Sequence, residues 1–158
     1  MSDAVPEGIT TNLDHDTVSA TGIVAATASD VLEYLRRPAN HAEISGDGTV
    51  RGRRFGPDRL DAVGERFGMQ MKMYGVPYRM TCKVVELDEG RAIAWRHPFG
   101  HTWRWQLEPV DGGTRVTETF DLSTARVPAA LRLVGYPKGH QANVARSVAN
   151  VRDHFAAG

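Results

Sequence analysis

His97 and His101 bracket the tripeptide Pro98-Phe99-Gly100. Two imidazoles four residues apart across a tight loop can move a proton, touch a polar ligand or supply two bonds to a metal. A catalytic zinc wants a third protein ligand, and none is evident, so neither a metal site nor a cofactor is expected. The pair otherwise reads as an exposed turn or as polar contacts for a ligand. Glu118 is the sharper candidate. It alternates with Val116 and Phe120 in GTRVTETFDLS. An inward carboxyl beside a tryptophan is desolvated, which raises its pKa toward the range of a general acid or base. Glu118 and His97 are therefore the candidate catalytic pair. The ordinary alternative is a place near the open end of the sheet, or an ion pair with a helix arginine such as Arg146.

Lesser candidates surround these. His140 opens the last helix one turn before Val144, where it can reach a ligand at a cavity mouth or stay in water. Cys82 is expected among apolar neighbours, where burial raises a thiol pKa and leaves the group inert. Tyr74 and Tyr78 flank a turn, as a lid or as a plain edge. The SGDG run after Ile44 lacks the strand-to-helix setting of a phosphate loop and reads better as a flexible gate.

The elements that must position these groups follow from periodicity. FGMQMKMYGVPYRMTCK puts Met69, Met71 and Met73 at every second place, the spacing of a strand with one apolar face. Methionine packs adaptably and suits promiscuous surfaces, so this face is either soft core or the wall of a cavity. Before it, TVSATGIVAA reads as a strand. ATASDVLEYLRRP reads as a helix capped by Thr27 with Val31, Leu32 and Leu35 buried, and Pro38 starts a second short helix through NHAEI. Six strands follow from Thr49 to Ser123. A short apolar helix, AALRLV, and a breaker, GYPKG, precede a long last helix with Val144, Val148, Val151 and Phe155 on one stripe.

Turn chemistry suggests a register. Gly75-Val76 as a two-residue turn pairs Met73 with Tyr78, Met71 with Met80, Met69 with Cys82 and Phe67 with Val84. Pro98-Phe99-Gly100 pairs Trp95 with Trp103 and Ile93 with Trp105. Asp111-Gly112 pairs Leu107 with Val116, Trp105 with Glu118 and Trp103 with Phe120. LDEG as a four-residue loop sets Val84 beside Ile93. The expected ligand face then holds Phe67, Met69, Met71, Met73, Tyr78 and Met80, with Trp95, Trp103, Trp105 and Phe120. His97, His101 and Glu118 interrupt it. A sheet this wide must curl and be covered. The valine stripe, with His140, Val144 and Val148, is the available cover, and small valines over large side chains can leave a space. The fold class is α+β: a curved antiparallel sheet of about seven strands around a long C-terminal helix, with two short helices after the first strand.

The bulk properties agree. The chain has 158 residues, enough for one domain, and 19 Lys plus Arg against 19 Asp plus Glu. Balanced charge offers no case for nucleic acid or for stable membrane association. One cysteine excludes an internal disulfide and fits a reducing compartment, and no apolar run approaches a bilayer span. The first stretch, MSDAVPEGITTNLDHD, lacks the basic and apolar regions of a signal peptide. It reads as a flexible arm over residues 1–15, followed by a single domain over 16–158. The crowd of Arg36, Arg37, Arg51, Arg53, Arg54 and Arg59 reads as a solvated face. A cytoplasmic protein is expected, and a homodimer is compatible with all of this.

Three stretches carry a family resemblance: IVAATASDVLEYLRRPANHAEISGDGTVRG, VGERFGMQMKMYGVPYRMTCKVVELDEGRAIAW and WQLEPVDGGTRVTETFDLS. Together they resemble the START-related SRPBCC superfamily, in its polyketide cyclase/dehydrase-like branch, and look especially like actinobacterial members without an assigned reaction. The resemblance implies a helix-grip fold with a deep apolar cavity between sheet and long helix. It carries over no catalytic set. Cyclase relatives use a pocket arginine, whereas Arg79, Arg96 and Arg104 point outward in the register above. Three functions follow as expectations. The first is binding of a small hydrophobic molecule, namely a lipid, polyketide or aromatic metabolite. The second is a cyclase/dehydrase-like enzyme using Glu118 with a histidine. The third is a protein-interaction module. A roomy cavity with satisfied polar groups would favour the first, an isolated inward Glu the second, and a filled interior the third.

Overall fold

The computed structural model describes residues 4–125 and 140–156. The expected AALRLV helix and its GYPKG breaker lie outside the described residues.

Eight strands form one antiparallel sheet in the order β1-β2-β8-β7-β6-β5-β4-β3. They are β1 (Thr10–Leu13), β2 (Thr17–Val24), β3 (Val50–Phe55), β4 (Arg66–Met73), β5 (Val76–Asp88), β6 (Ala92–Arg96), β7 (Thr102–Val110) and β8 (Gly113–Asp121). The eighth strand is β1, which comes from the stretch expected to be an arm. TTNL has no apolar alternation to announce it, and its side chains are mostly exposed; it is held by pairing Thr10 with Thr21 and Leu13 with Val18 at the sheet edge.

Between β2 and β3 lie α1 (Ala28–Leu35), a 3-10 turn (Pro38–Asn40) and α2 (His41–Ile44). Thr27 caps α1 as its sequence position predicts, its hydroxyl accepting from the Asp30 amide at 3.1 Å. Val31, Leu32 and Leu35 are buried. The C-terminal helix α3 (Gln141–Ala156) buries Val144, Val148 and Val151.

Two of the four expected hairpin registers hold unchanged. Trp95 faces Trp103, Trp105 faces Glu118 and Leu107 faces Val116. Gly100, at φ 97°, takes the left-handed place in the His97–His101 loop, and the His97 amide donates to the His101 carbonyl at 3.0 Å. The methionine hairpin turns one residue earlier than expected, on Tyr74-Gly75. Both residues have positive φ, 51° and 79°, as a type I′ turn requires. Met71 therefore faces Tyr78, Met69 faces Met80 and Phe67 faces Cys82. The pairing moves by two residues, an even step, so the faces are preserved.

The LDEG register is corrected more deeply. Val84 pairs with Trp95, not Ile93, and a bulge before Glu86 re-pairs Leu87 with Ile93. The extra residue switches parity, keeps Leu87 inward and turns Glu86 out to meet Arg104 at 2.7 Å.

Helix α3 does not lie over the middle of the sheet. It packs mainly on β2, with β8 and β1 beside it. Gly22 on β2 permits this, since a Cβ there would meet Val148 at 3.1 Å and Ile9 at 2.6 Å. The inner face of β4 to β7 is instead met by α1, against β6 and β7, and by His41 of α2, against Phe67 and Trp95.

Candidate functional site

The half of the sheet away from α3 borders a cavity of about 580 Å³, within the range of small-molecule sites. Its apolar wall is built by strand alternation from Phe67, Met69 and Met71 of β4, Tyr78, Met80 and Cys82 of β5, Trp95 of β6, and Trp103 and Trp105 of β7. Val50 of β3, paired with Met71, extends this wall, and Ile44 of α2 also lines the cavity. The rim carries Met73, Arg79, Pro98 and Phe99, all of them exposed.

The candidate polar residues divide. Glu118 lines the cavity and is 4% exposed. Its Oε1 has no hydrogen-bond partner among the described residues, and the Ser147 hydroxyl of α3 is its hydrogen-bonding neighbour on the helix side. Burial drives its carboxyl well above the usual range, the Ser147 bond opposes this and the Asp47 charge adds to it. Burial thus favours the protonated form of this acid in an apolar wall.

His97, His101 and His140 also line the cavity. The rings of His97 and His101 lie 4.7 Å apart, and His140 stands edge-on to Trp103 at 5.1 Å. Burial lowers all three pKa values, that of His101 to about 4, and neighbouring imidazoles lower His97 further. No group of three His, Cys, Asp or Glu side chains among the described residues is placed to hold a metal ion.

Three expected lining residues belong elsewhere. Phe120, fully buried, packs directly behind the wall against Trp103, His101 and His140, with ring centroids 4.7, 5.2 and 4.6 Å away, while Val144 and Val148, also fully buried, pack α3 on the sheet outside the cavity. The shift of α3 toward β2 is the cause. Cys82 is buried and lines the cavity, and desolvation pushes its thiol to about 12.

Sequence reasoning missed His41. It stacks on Trp95, ring centroids 4.7 Å apart, and meets Phe67 edge-on at 5.5 Å. Its spacing of three from the buried Ile44 was the signal: both stand on the inner side of α2. Asn143 and Ser147 were missed too, and the SGDG loop, expected as a flexible gate, lines the cavity with Ser45, Asp47 and the following Thr49. Asp47 Oδ1 accepts from the Thr49 amide at 3.0 Å and the Thr49 hydroxyl at 2.7 Å, which closes the loop on itself. The Gly46 amide donates to Ser147 Oγ at 3.1 Å, and a Cβ on Gly46 would lie 2.0 Å from the Asn143 carbonyl oxygen. The expected gate is therefore a fastened wall. Arg36, expected in solvent, is 2% exposed. Its guanidinium grips Glu89 through two bonds of 2.8 and 2.9 Å, and its Nε donates to the Leu60 carbonyl at 2.9 Å.

A curved antiparallel sheet gripping a C-terminal helix beside an apolar cavity defines a helix-grip, ligand-binding fold. The chain belongs to the family described as polyketide cyclase / dehydrase and lipid transport, whose model matches residues 15–156. It is 38% identical over 146 residues to the uncharacterised protein Rv0088 of Mycobacterium tuberculosis, covering 89% of this chain and 65% of that protein. The chain thus spans slightly less than two thirds of that relative. Among solved structures it is similar to protein Ms6760 from Mycobacterium smegmatis, with TM-score 0.66, 18% identity, and 94% and 96% of the two chains covered. A protein from Rhodobacter sphaeroides gives TM-score 0.70 at 17% identity, with 94% and 98% covered. At these identities the structural likeness speaks for the fold alone. No helix among the described residues is long and apolar enough to cross a membrane.

Proposed function

We propose that the chain binds a small hydrophobic molecule, a lipid, polyketide or aromatic metabolite, in the cavity between β4–β7 and α2. The supporting observation is a space of about 580 Å³ whose wall is methionine and aromatic. Five thioether and indole walls (Met69, Met71, Met80, Trp95, Trp105) offer dispersion contact without dictating shape. Specificity falls to a few polar groups. Neutral Glu118 can donate to a carbonyl or hydroxyl oxygen. The His41 ring, with Nε2 donating to the Leu35 carbonyl at 2.8 Å, keeps Nδ1 as an acceptor. Burial disfavours charge on both, so an uncharged group suits this inner wall, while Arg79 and Asp47 are the charged side chains that also line the cavity.

A second reading is an acid–base enzyme of the cyclase/dehydrase kind, with Glu118 as proton donor and His97 as its partner. The isolated Glu118 Oε1 is the observation that favours it. An acid held protonated in a dry wall is suited to protonating a developing enolate or alkoxide.

Native mass spectrometry of protein from its own host, followed by organic extraction, tests the first reading. A stoichiometric apolar adduct, lost in Met71→Lys while the fold persists, is expected; bare protein that stays bare against lipids and polyphenols would overturn it. Glu118→Gln separates the two readings. Retained adduct with the adduct no longer converted assigns catalysis, whereas weakened retention assigns binding.

A further inference from the structure

The whole chain is neutral, but the hairpin from Arg66 to Lys83 is not. It carries Arg66, Lys72, Arg79 and Lys83 and no acidic residue. The register places all four on the outer face of β4 and β5, where they are exposed. Lys83 also stands directly between Arg66 on β4 and Arg96 on β6. Three like charges side by side across strands destabilise a sheet. No carboxylate pairs with any of these five cations among the described residues, although the outer face elsewhere uses such pairs, as Arg104–Glu86 and Arg115–Glu108 show.

The tip of the same hairpin is apolar. Of nine large apolar side chains exposed among the described residues, Met73, Tyr74, Val76 and Phe99 sit on two turns at the rim of the cavity. Tyr74 is 97% exposed, and it is held at φ 51°, a conformation an aromatic residue rarely adopts. An aromatic and an aliphatic side chain presented at a turn, flanked by unpaired cations, match the two layers of a membrane interface. Acyl chains and the glycerol region take the apolar tip; phosphates take the cations.

We propose that the β4–β5 hairpin docks this chain on an anionic phospholipid surface, reversibly, with Tyr74 and Val76 in the interface and Lys72 and Arg79, the cations nearest the tip, facing the phosphates. The docked tip brings the cavity rim to the bilayer. This surface stands on its own observations, apart from whether the cavity is used.

The test is co-flotation of the whole chain with vesicles of phosphatidylcholine alone and with about 30 mol% phosphatidylglycerol added. Binding is expected to the mixed vesicles only, and to fall steeply at about 0.5 M NaCl. The variants Tyr74→Ser/Val76→Ser and Lys72→Glu avoid cavity-lining residues, and circular dichroism checks their fold. Each is expected to weaken vesicle binding by about tenfold or more. Uptake of Nile red from solution reports the cavity separately and is expected to be unchanged. Absence of binding to the mixed vesicles overturns the proposal. Binding abolished by the charge reversal but untouched by the tip variant overturns it as well, and assigns the strip to a soluble polyanion.

Discussion

His41 stacks on Trp95 with planes 21° from parallel, tying α2 to β6 across one wall of the cavity. A carbonyl can only accept, so the 2.8 Å contact of Nε2 with Leu35 O fixes the proton on Nε2. Burial lowers the ring's pKa to about 4. The covering helix is thus held by a neutral imidazole.

The first prediction is that this neutrality costs stability in acid. The unfolded chain protonates His41 near 6.5 and the folded chain only near 4. Between those values the unfolded state binds more protons, so stability present above pH 6.5 is lost as pH falls. The slope is about 1.4 kcal/mol per pH unit for one such group. His41→Phe keeps a stacked ring but loses the bond to Leu35. Urea unfolding should find it less stable than the parent at about pH 7.5, with the gap narrowing below about pH 6. A gap constant with pH would show that His41 is not held neutral.

Glu118 has the opposite sign. Its folded pKa is raised, so the stability linked to it is intact below the unfolded value of 4.5 and is lost as pH rises. Glu118→Gln removes the titration and retains a donor of similar shape. Relative to the parent, its melting temperature should rise as pH increases above about 5. A flat difference would mean that the carboxyl ionises as freely folded as unfolded.

Much of this site was legible because alternation survives even-numbered errors. Turning the methionine hairpin on Tyr74-Gly75 instead of Gly75-Val76 moved every pair by two and left Met69, Met71 and Met80 facing inward. The bulge before Glu86 was not legible, because a single extra residue leaves no mark in composition, only a change of parity at Leu87. Nor was the lateral place of α3. Val144 and Val148 point inward as their spacing implies, but which strands they meet depends on Gly22, a close approach between segments more than a hundred residues apart. His41 and Arg36 show the same limit. Both sit in polar-looking stretches, and only tertiary contacts with Trp95 and Glu89 make them wall and clamp.

Arg36 gives the third prediction. Its stem is buried beside Leu60, and its fork closes on an exposed Glu89. Arg36→Ala should cost about 2–4 kcal/mol, through the lost packing and the orphaned Leu60 carbonyl more than through the ion pair. Glu89→Gln, which leaves the buried part in place, should cost no more than about 1 kcal/mol. Chemical denaturation of both variants checks the ordering. Equal losses would make the exposed ion pair the dominant contribution.

Tyr74 gives the last prediction, and it bears on why the hairpin tip has its sequence. A type I′ turn wants left-handed residues at both central places, and Asn-Gly fills them with least strain. Here Tyr74 occupies the first at φ 51° with 97% of its surface in water, so it contributes little packing to set against the strain. Tyr74→Asn should therefore stabilise the protein, by about 1 kcal/mol. The same change removes the apolar tip and should weaken binding to anionic vesicles. Gain in one and loss in the other, measured on one variant by melting and by co-flotation, would identify Tyr74 as a residue kept for a surface contact at some expense of stability. A variant neither more stable nor weaker on vesicles would make it a neutral turn residue, and the cations beside it would have to account for any docking alone.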